Sequence, residues 1–331
     1  MRKFTLQDRP EGGLRGRRVV LAGFGNQGAA QAECLRDEGV DLIIGLRPEG
    51  SSWNSALAKG FTVLELSEAV ALADILLLLT PDETQAELYK SVIEAHLPDG
   101  AALGFAHGFA VGFDLLKPRE GLDVFLVAPK AQGLKVRQLY TEGRGAAALL
   151  AVEQDASGRA WQTALAYADA LGCLRTGAME TTFREEAVSD LFGEQAVLCG
   201  GMSALIRAAF DTLVARGYSP EIAYFECLHE VKIIADLMHS KGIDGMRGHI
   251  SGTALYGDLT RGRRLIDSRV RKTMDDMLDE IEKGDFAREW LDENAKGRPE
   301  LTRLVEEDAA HPIEAAGREV RSLMPWLQED E

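Results

Sequence analysis

The segment from residue 18 to residue 45 constrains the fold more than any other part of the chain. It contains, in this order, an apolar strand (Arg18–Ala22), a turn with three glycines, an alanine-rich helix that ends at Gly39, and a second apolar strand at 40–45. Glycines in this setting allow a tight turn, close approach of the backbone to a pyrophosphate, and close helix packing. The order predicts a dinucleotide site; a glycine turn in an ordinary α/β domain is the alternative. The residues predicted to line the site are Gly23, Phe24, Gly25, Asn26, Gln27 and Gly28.

Strands alternate with helices up to about residue 152, and nearly everything beyond Thr182 has helical patterning. Such alternation is typical of a doubly wound parallel sheet. We therefore predict an α/β chain with a Rossmann domain at 1–181 and an all-α domain at 182–331. The further strands are predicted at 61–63, 75–79, 101–105, 124–127 and 147–152, and turns in the helical part at 217–220, 242–252 and 298–299.

Composition limits the possible partners. The chain has 331 residues, 46% of them hydrophobic and 27% charged, which is enough material for two globular domains. Its formal net charge of −16 disfavours nucleic acid and anionic membranes. The apolar runs have strand length and the N-terminus lacks a signal peptide, so we expect a cytoplasmic protein. Four scattered cysteines are predicted to be buried thiols, with a role beside a metal ligand as the alternative for Cys227: Cys34, Cys173, Cys199 and Cys227.

Two pairs of acidic residues lie in helical stretches with almost no compensating positive charge. The pairs are Asp190 with Glu194 and Glu226 with Glu230. Residues 191–205 carry one charge, Glu194, and are predicted to form a buried helix. A spacing of four residues places both acids of a pair on one helix face, where like charges repel, and burial strengthens the repulsion. Oxygen ligands favour a hard cation, Mg²⁺ before Mn²⁺, and four carboxylates suffice for two ions. The alternative is a pair of solvated helix faces.

Three turns that follow predicted strands carry further candidate residues. His107 lies between small residues and is predicted to shuttle a proton or contact a substrate, with a structural role as the alternative. Lys130 follows the strand at 124–127 and is predicted to place an ammonium near the carboxylates and to stabilise an alkoxide, unless it is a solvated loop residue. The residues at these strand ends that we assign to the dinucleotide site are Leu79, Thr80, Pro81, His107 and Gly133.

The turn after the second strand of the dinucleotide motif bears on the choice of coenzyme. Glu49 favours NAD(H), because a carboxylate accepts hydrogen bonds from ribose hydroxyls and repels a 2′-phosphate. Gly50 provides no hydroxyl donor, and it also favours NAD(H). Arg47 favours NADP(H), because a fixed cation attracts the 2′-phosphate. The sequence thus predicts a nicotinamide coenzyme, with a preference for NAD(H) over NADP(H).

Several blocks of sequence resemble the ketol-acid reductoisomerases of the short, class I type, over nearly the whole chain. They are GFGNQG, FAHGF, VAPK, DLFGEQAVLCGG, GYSPEIAYFECLHE, and HPIE followed by MPWL. The resemblance implies a knotted helical domain, two Mg²⁺ ions on the four carboxylates, and interlocked dimers in which the partner subunit delivers Glu226, Glu230 and Ser251. It also implies Mg²⁺-dependent rearrangement and reduction of a small 2-hydroxy-2-alkyl-3-oxo acid. By the same resemblance, Arg47 and Ser52 match positions that hold the 2′-phosphate of NADP(H). The residues to which we assign catalytic roles on this basis are His107, Lys130, Glu194 and Glu230.

The chain departs from the family where the substrate is expected to bind. The usual MRYSISNTAEYG or MRYSISDTAEYG becomes MRGHISGTALYG at residues 246–257. The residues predicted to line the altered substrate pocket are Ser251, His249, Gly252 and Leu255. We therefore predict a specialised-metabolism paralogue with a different or bulkier acid, for example a cyclopropanol-forming enzyme. Neutral drift with the housekeeping acetolactate reaction is one alternative, and a non-catalytic cofactor-binding regulator is another.

Overall fold

The computed structural model describes residues 1–327 and divides the chain into two compact units, Met1–Ser189 and Asp190–Glu331. The first unit contains the strands β1 Lys3–Phe4, β2 Arg18–Ala22, β3 Asp41–Leu46, β4 Val63–Glu65, β5 Ile75–Leu78, β6 Ala102–Phe105, β7 Asp123–Pro129, β8 Ala148–Asp155 and β9 Ala178–Glu180. Its helices are α1 Asn26–Asp37, α2 Ser51–Ala58, α3 Leu66–Val70, α4 Asp82–Leu88, α5 Glu94–His96, α6 Phe109–Gly112, α7 Gly133–Thr141, α8 Ala160–Ala170 and α9 Cys173–Thr176.

Helix α10 Phe183–Gly193 leads from the first unit into the second, whose described part is helical. Its further helices are α11 Gly200–Val214, α12 Pro220–Tyr224, α13 Val231–Arg247, α14 Gly252–Leu265, α15 Ser268–Glu282, α16 Asp285–Ala295, α17 Pro299–Ala309 and α18 Pro312–Ser322. The predicted division of the chain after residue 181 and the predicted knot stay predictions. Residues 328–331 of the predicted second domain lie outside the described residues.

The sheet of the first unit has the order β1-β9-β8-β7-β6-β5-β2-β3-β4. Strands β2 to β7 pair in parallel, which confirms the predicted Rossmann-like core. The prediction of an all-parallel sheet was wrong at one edge, where β8 runs antiparallel to β7 and β1 antiparallel to β9. Hydrophobic patterning marks a strand without its direction, and edge strands of two or three residues carry too little pattern to detect.

Alternate residues of the central strands enter opposite cores, as expected for a sheet covered on both faces. Val19 and Leu21 of β2 pack with residues of α1 and α8, whereas Val20 and Ala22 pack with residues of α3. All four side chains are fully buried. The order of the strands reverses between β2 and β5, so a crevice for ligands is expected beyond the carboxyl ends of these two strands.

The second unit has a smaller core that leaves much apolar surface exposed. Phe210 of α11 packs with Tyr224 of α12 and with Ile313 and Val320 of α18, and the Tyr224 hydroxyl accepts a 2.9 Å hydrogen bond from Arg321. The prediction that 191–205 is a buried helix was wrong for this chain, because most of its side chains are exposed, among them Val197, Leu198, Met202 and Leu205. The predicted turn at 242–252 was too long, since α13 continues to Arg247 through a non-helical Gly242.

One helical stretch, Phe183–Val214, is long and apolar enough to cross a membrane by length and composition, and little of it is buried. The prediction that apolar runs in this chain are no longer than a strand was therefore wrong for this helix. A single such helix is weak evidence for a membrane span, because a core helix of a globular protein can be equally long and apolar. The absence of a membrane partner and the cytoplasmic location stay predictions.

The cysteines differ in exposure, contrary to the prediction that all four are buried. Cys34 and Cys173 are buried, and burial raises the pKa of the Cys34 thiol to about 11 and that of Cys173 to about 12. Both therefore stay protonated at neutral pH. Cys199 is exposed and Cys227 is half-buried.

Candidate functional site

The glycines of the turn after β2 meet three different requirements. Gly23 has a φ of 116°, and a Cβ there would lie 2.6 Å from the carbonyl oxygen of Leu79, which follows β5. A Cβ on Gly28 would lie 2.6 Å from the carbonyl oxygen of Gly23. Gly25 is the N-cap of α1 and faces open space. The turn is thus compressed against β5 but open at the positive end of a helix, where a pyrophosphate binds favourably.

The loop after β7 packs directly on this turn. A Cβ on Gly133 would lie 2.1 Å from the carbonyl oxygen of Asn26, so only glycine allows this approach. The amide of Gln27 donates a 2.9 Å hydrogen bond to the carbonyl oxygen of Ala131. Gln31, one turn along α1, donates to Gln27, and the buried Tyr167 hydroxyl donates to Gln31 at 2.7 Å. The predicted dinucleotide residues and the Lys130 loop therefore form one connected surface.

A buried carboxylate, Glu186, connects the two predicted catalytic residues. One carboxylate oxygen accepts a 2.5 Å hydrogen bond from Lys130 Nζ, and the other accepts a 2.7 Å bond from the backbone N–H of Gly108 and lies 3.8 Å from His107 Nε2. Its side chain is only 1% exposed. Because a buried carboxylate requires hydrogen bonds or a cation, Glu186 holds the ends of β6 and β7 in a defined arrangement.

His107 also contacts a second carboxylate that the sequence reasoning missed. Its Nδ1 lies 3.2 Å from Oδ2 of Asp82, the first residue of α4. A carboxylate on one ring nitrogen orients the imidazole and stabilises its protonated form. The Ala106-His107-Gly108 turn itself packs closely on α10, since a Cβ on Gly108 would lie 2.2 Å from the carbonyl oxygen of Phe183. His107 is therefore held between two carboxylates, and its role as a proton shuttle or substrate contact stays a prediction.

Neither Glu186 nor Asp82 stood out in the sequence, although one signal was available. Glu186 lies four residues before Asp190 on α10, and this repeats the spacing of the acid pairs, so the two residues share one helix face. Asp82 begins a helix directly after Leu79, Thr80 and Pro81, at the carboxyl end of β5. The pairing partners of both acids come from distant parts of the chain and leave no local pattern.

The turn after β3 presents the residues predicted to select the coenzyme. Arg47 and Glu49 are exposed and Ser52 lies in the first turn of α2. Glu49 has a φ of 60°, an uncommon conformation for a residue other than glycine. Gly50 is the N-cap of α2, and a Cβ there would meet only the carbonyl oxygen of Arg47, at 3.6 Å. A serine would therefore fit at this position.

The four predicted metal ligands belong to the second unit. Asp190 is in α10, and Glu194 begins a π-helical turn, Glu194–Leu198, which we call the Glu194 π turn. Glu226 lies in a second one, Phe225–His229, the Glu226 π turn, and Glu230 follows it. Within residues 1–327, Glu194, Glu226 and Glu230 join no cluster of three or more ligand-type side chains, and all three are exposed. In the described part of the chain these three acids therefore do not gather into a metal site, and their role as ligands stays a prediction.

The acidic oxygens nevertheless fit a hard divalent cation by their chemistry. Each pair sits on consecutive turns of one helix and offers carboxylate oxygens, the ligands that Mg²⁺ prefers. The three residues between the acids of each pair include no lysine or arginine that could neutralise them.

The residues predicted to line the substrate pocket lie around the start of α14. Ser251 is its exposed N-cap, and the hydroxyl accepts a 3.2 Å hydrogen bond from the backbone N–H of Ala254. His249 is exposed, with Nδ1 2.9 Å from the carbonyl oxygen of Gly245. Gly252 faces open space and Leu255 is half-buried. Within one chain these residues form an open surface, and their role in a pocket stays a prediction.

Comparison with protein families covers nearly the whole chain. Residues 13–177 match the NADPH-binding domain of acetohydroxy acid isomeroreductase. Residues 183–326 match the C-terminal domain of ketol-acid reductoisomerase.

Individual relatives agree with these matches. The chain is 49% identical to a ketol-acid reductoisomerase (NADP(+)) of Petrotoga mobilis over 325 residues, which cover 98% of each chain. A solved NADH-preferring ketol-acid reductoisomerase from an uncultured archaeon is 41% identical, with a TM-score of 0.95 over 98% of this chain and 99% of that one. A semialdehyde dehydrogenase NAD-binding protein of Cupriavidus necator shares the fold, with a TM-score of 0.62 at 18% identity over 81% of this chain and 98% of its own.

Proposed function

Since the chain belongs to the ketol-acid reductoisomerase family, we propose that it rearranges and reduces a small 2-hydroxy-2-alkyl-3-oxo acid. The chain is an oxidoreductase and isomerase that uses NAD(P)H, as predicted from its sequence. The alternative of a non-catalytic regulator is therefore not retained.

One observation carries this proposal: Lys130, Glu186 and His107 are linked at the carboxyl edge of the sheet, and the Lys130 loop packs on the glycine turn. In the proposed reaction the C2 hydroxyl loses its proton, the alkyl group migrates from C2 to C3, and the C3 carbonyl becomes an alkoxide that takes up a proton. A bound nicotinamide would supply the hydride that reduces the new C2 ketone, and the alkoxide left at C2 would take up a second proton. Lys130 would hold its ammonium toward the oxygen that gains charge, and the hydrogen bond to Glu186 would keep the Lys130 side chain in place.

The metal ligands in this proposal are Asp190, Glu194, Glu226 and Glu230. Two Mg²⁺ ions bound there would polarise the carbonyl and hydroxyl oxygens of the substrate. The carboxylates of this chain would orient the acid through those ions, while His107, paired with Asp82, would relay a proton to or from a substrate oxygen.

We further propose that a second copy of the chain completes the site. The apolar side chains of the Phe183–Val214 stretch are largely exposed, which is costly for a monomer. An intertwined homodimer, or a multiple of dimers, would bury this apolar surface and bring Glu226, Glu230 and Ser251 to a site of the other subunit.

The coenzyme is proposed to be NAD(H) in preference to NADP(H). Support comes from the exposed carboxylate of Glu49 and from Gly50, which lacks a hydroxyl donor at the N-terminus of α2. The relatives point both ways, since one is named for NADP(+) and another prefers NADH. The exposed Arg47 limits the preference, because a cation favours a 2′-phosphate.

Two candidate substrates follow from different observations. The family's acetolactate reaction of branched-chain amino acid biosynthesis is supported by 49% identity over nearly the full chain. A specialised-metabolism reaction on another acid, for example cyclopropanol formation, is supported by Gly248, Gly252 and Leu255, where the family carries larger or more polar residues, and by His249, where it carries serine. The two candidate substrates require pockets of different shape near Ser251.

Purified protein assayed with Mg²⁺, both coenzymes, acetolactate and a panel of 2-hydroxy acids distinguishes the candidates. Acetolactate turnover at about 1 per second or more would establish the biosynthetic reaction. A specialised enzyme would turn acetolactate over on the order of a hundredfold more slowly, because a loosely placed substrate loses reactive alignment. In that case Leu255→Glu with Gly252→Asn should raise acetolactate turnover.

A further inference from the structure

The helices that carry the two acid pairs both widen into a π turn at the acids themselves. In the Glu194 π turn, the N–H of Cys199 donates a 2.9 Å bond to the carbonyl oxygen of Glu194, five residues back. In the Glu226 π turn, the N–H of Glu230 donates a 3.2 Å bond to Phe225, again five residues back. Such turns are rare and hold one residue more than an α turn. A third, Tyr89–Ile93 in the first unit, includes none of the predicted ligands.

Two consecutive glycines make the Glu194 π turn possible. A Cβ on Gly200 would lie 2.4 Å from the carbonyl oxygen of Gln195, and one on Gly201 would lie 2.0 Å from that of Ala196. Both carbonyls belong to the turn, five residues before the glycine that faces them. Any side chain at 201 therefore requires these backbone groups to separate, which removes the wide turn.

The π turn sets the rotation of the acids relative to the packed part of the same unit. Beyond it, α11 is anchored in the core through Phe210, which is fully buried against Tyr224 and Ile313. If the same residues formed a regular α-helix, Asp190 and Glu194 would turn by one residue, about 100°, relative to that anchored face. The carboxylates would then point to a different side of the helix.

We propose that Gly200 and Gly201 are positioning residues for metal binding: they hold the Glu194 π turn open and thereby aim Asp190 and Glu194 at the Mg²⁺ site. This inference rests on the proposed function for the identity of the metal ligands. It adds the structural feature that orients the carboxylates of Asp190 and Glu194. The Glu226 π turn contains Glu226 and ends directly before Glu230, so it sets the direction of these two acids relative to each other.

The test compares Mg²⁺ affinity by isothermal titration calorimetry in full-length variants, with circular dichroism and thermal unfolding as measures of folding. Gly201→Ala should lower the affinity about ten- to a hundredfold, the range for residues that orient metal ligands. Gly262→Ala is the matched control, because it also lies within a helix and its Cβ would meet only Asp258 Oδ1, at 4.0 Å. It should bind Mg²⁺ like the parent.

A second variant separates positioning from general damage. Gly201→Ala combined with deletion of Val197, an exposed residue of the π turn, removes the extra residue and yields a regular helix with the original facing. This variant should regain most of the Mg²⁺ affinity, and it provides the test by itself if Gly201→Ala alone does not fold. Parent-like affinity in Gly201→Ala, or a folded deletion variant without Mg²⁺ binding, would overturn the inference. A parent protein that binds no Mg²⁺ would overturn the proposed metal role as well.

Discussion

The carboxyl edge of the sheet and the acid-bearing helices of the second unit contrast in how far each site is organised within one chain. Glu186 is 1% exposed, and both of its oxygens are hydrogen-bonded, to Lys130 and to the backbone of Gly108. Glu194, Glu226 and Glu230 are exposed, and their helices present apolar side chains to solvent. The first region is preorganised by its own fold, whereas the second has its acids on helices whose burial requires further contacts.

This difference follows from the cost of burying charge. A buried carboxylate is stable only with donors that match it, and the first unit supplies them from β6 and β7. Paired acids without matched cations repel each other, so exposure is the stable arrangement until a metal and a second subunit neutralise and cover them.

The largest effect is expected from the metal ligands. Asp190→Asn and Glu226→Gln should each abolish turnover and weaken Mg²⁺ binding, while unfolding temperatures stay equal or rise because repulsion within each pair is relieved. Calorimetric Mg²⁺ titration and thermal unfolding measure both effects. Unchanged Mg²⁺ binding in both variants would remove these residues from the site.

Co-expression of the two inactive chains tests whether the second region is completed between subunits. A heterodimer of Asp190→Asn and Glu226→Gln chains should regain part of the activity, because one of its sites would then contain only unaltered ligands. Verified heterodimers without activity would mean that each chain builds its site alone.

A smaller effect is expected from the preorganised region. Glu186→Gln should lower kcat about a hundredfold, because Lys130 loses its partner and shifts. It should also cost about 1–2 kcal/mol of unfolding free energy, less than a fully buried pair because a third of Lys130 is exposed. Glu185→Gln is the control, since this neighbour is exposed and its carboxylate accepts a 2.8 Å hydrogen bond from the hydroxyl of Thr181 rather than from a catalytic residue. Equal kinetics in the two variants would assign Glu186 no role in positioning.

The glycine turn separates stability from coenzyme binding. Gly23→Ala should destabilise the fold by about 1–3 kcal/mol from its backbone conformation alone, with overlap against Leu79 in addition. Gly25→Ala meets open space, so unfolding should change little while the KM for the coenzyme rises. Chemical denaturation and coenzyme titration distinguish the two. A parent-like coenzyme KM in Gly25→Ala would place the pyrophosphate elsewhere.

The smallest effect concerns coenzyme choice. Glu49→Ser should shift preference toward NADP(H), because it removes an anion worth about 1 kcal/mol at an exposed site, roughly fivefold in relative kcat/KM. Michaelis curves with both coenzymes provide the ratio. A strong preference of the parent protein for NADPH would show that Arg47 dominates over Glu49.

The sequence by itself determined the elements whose causes are local. The glycines at 23, 25 and 28 predicted the dinucleotide turn because its backbone geometry requires them, and apolar runs located β2, β3, β5 and β6 to within one residue at each end. The acid pairs stood out because their spacing is a property of a single helix. The resemblance to the family, confirmed over both units, depended on such local blocks.

Only the tertiary structure decided features whose partners are distant in the chain. Glu186 meets Gly108 from 78 residues away and Lys130 from 56, so no window of sequence could pair them. The direction of β8 likewise depends on the strand beside it. The apolar helix at 191–205 is exposed within this chain, because hydrophobic side chains favour burial without specifying whether the same chain or another one buries them. The glycine pair at 200–201 lies within a stretch that the sequence predicts as one helix, and only its close approach to the carbonyls of Gln195 and Ala196 shows that it borders a π turn.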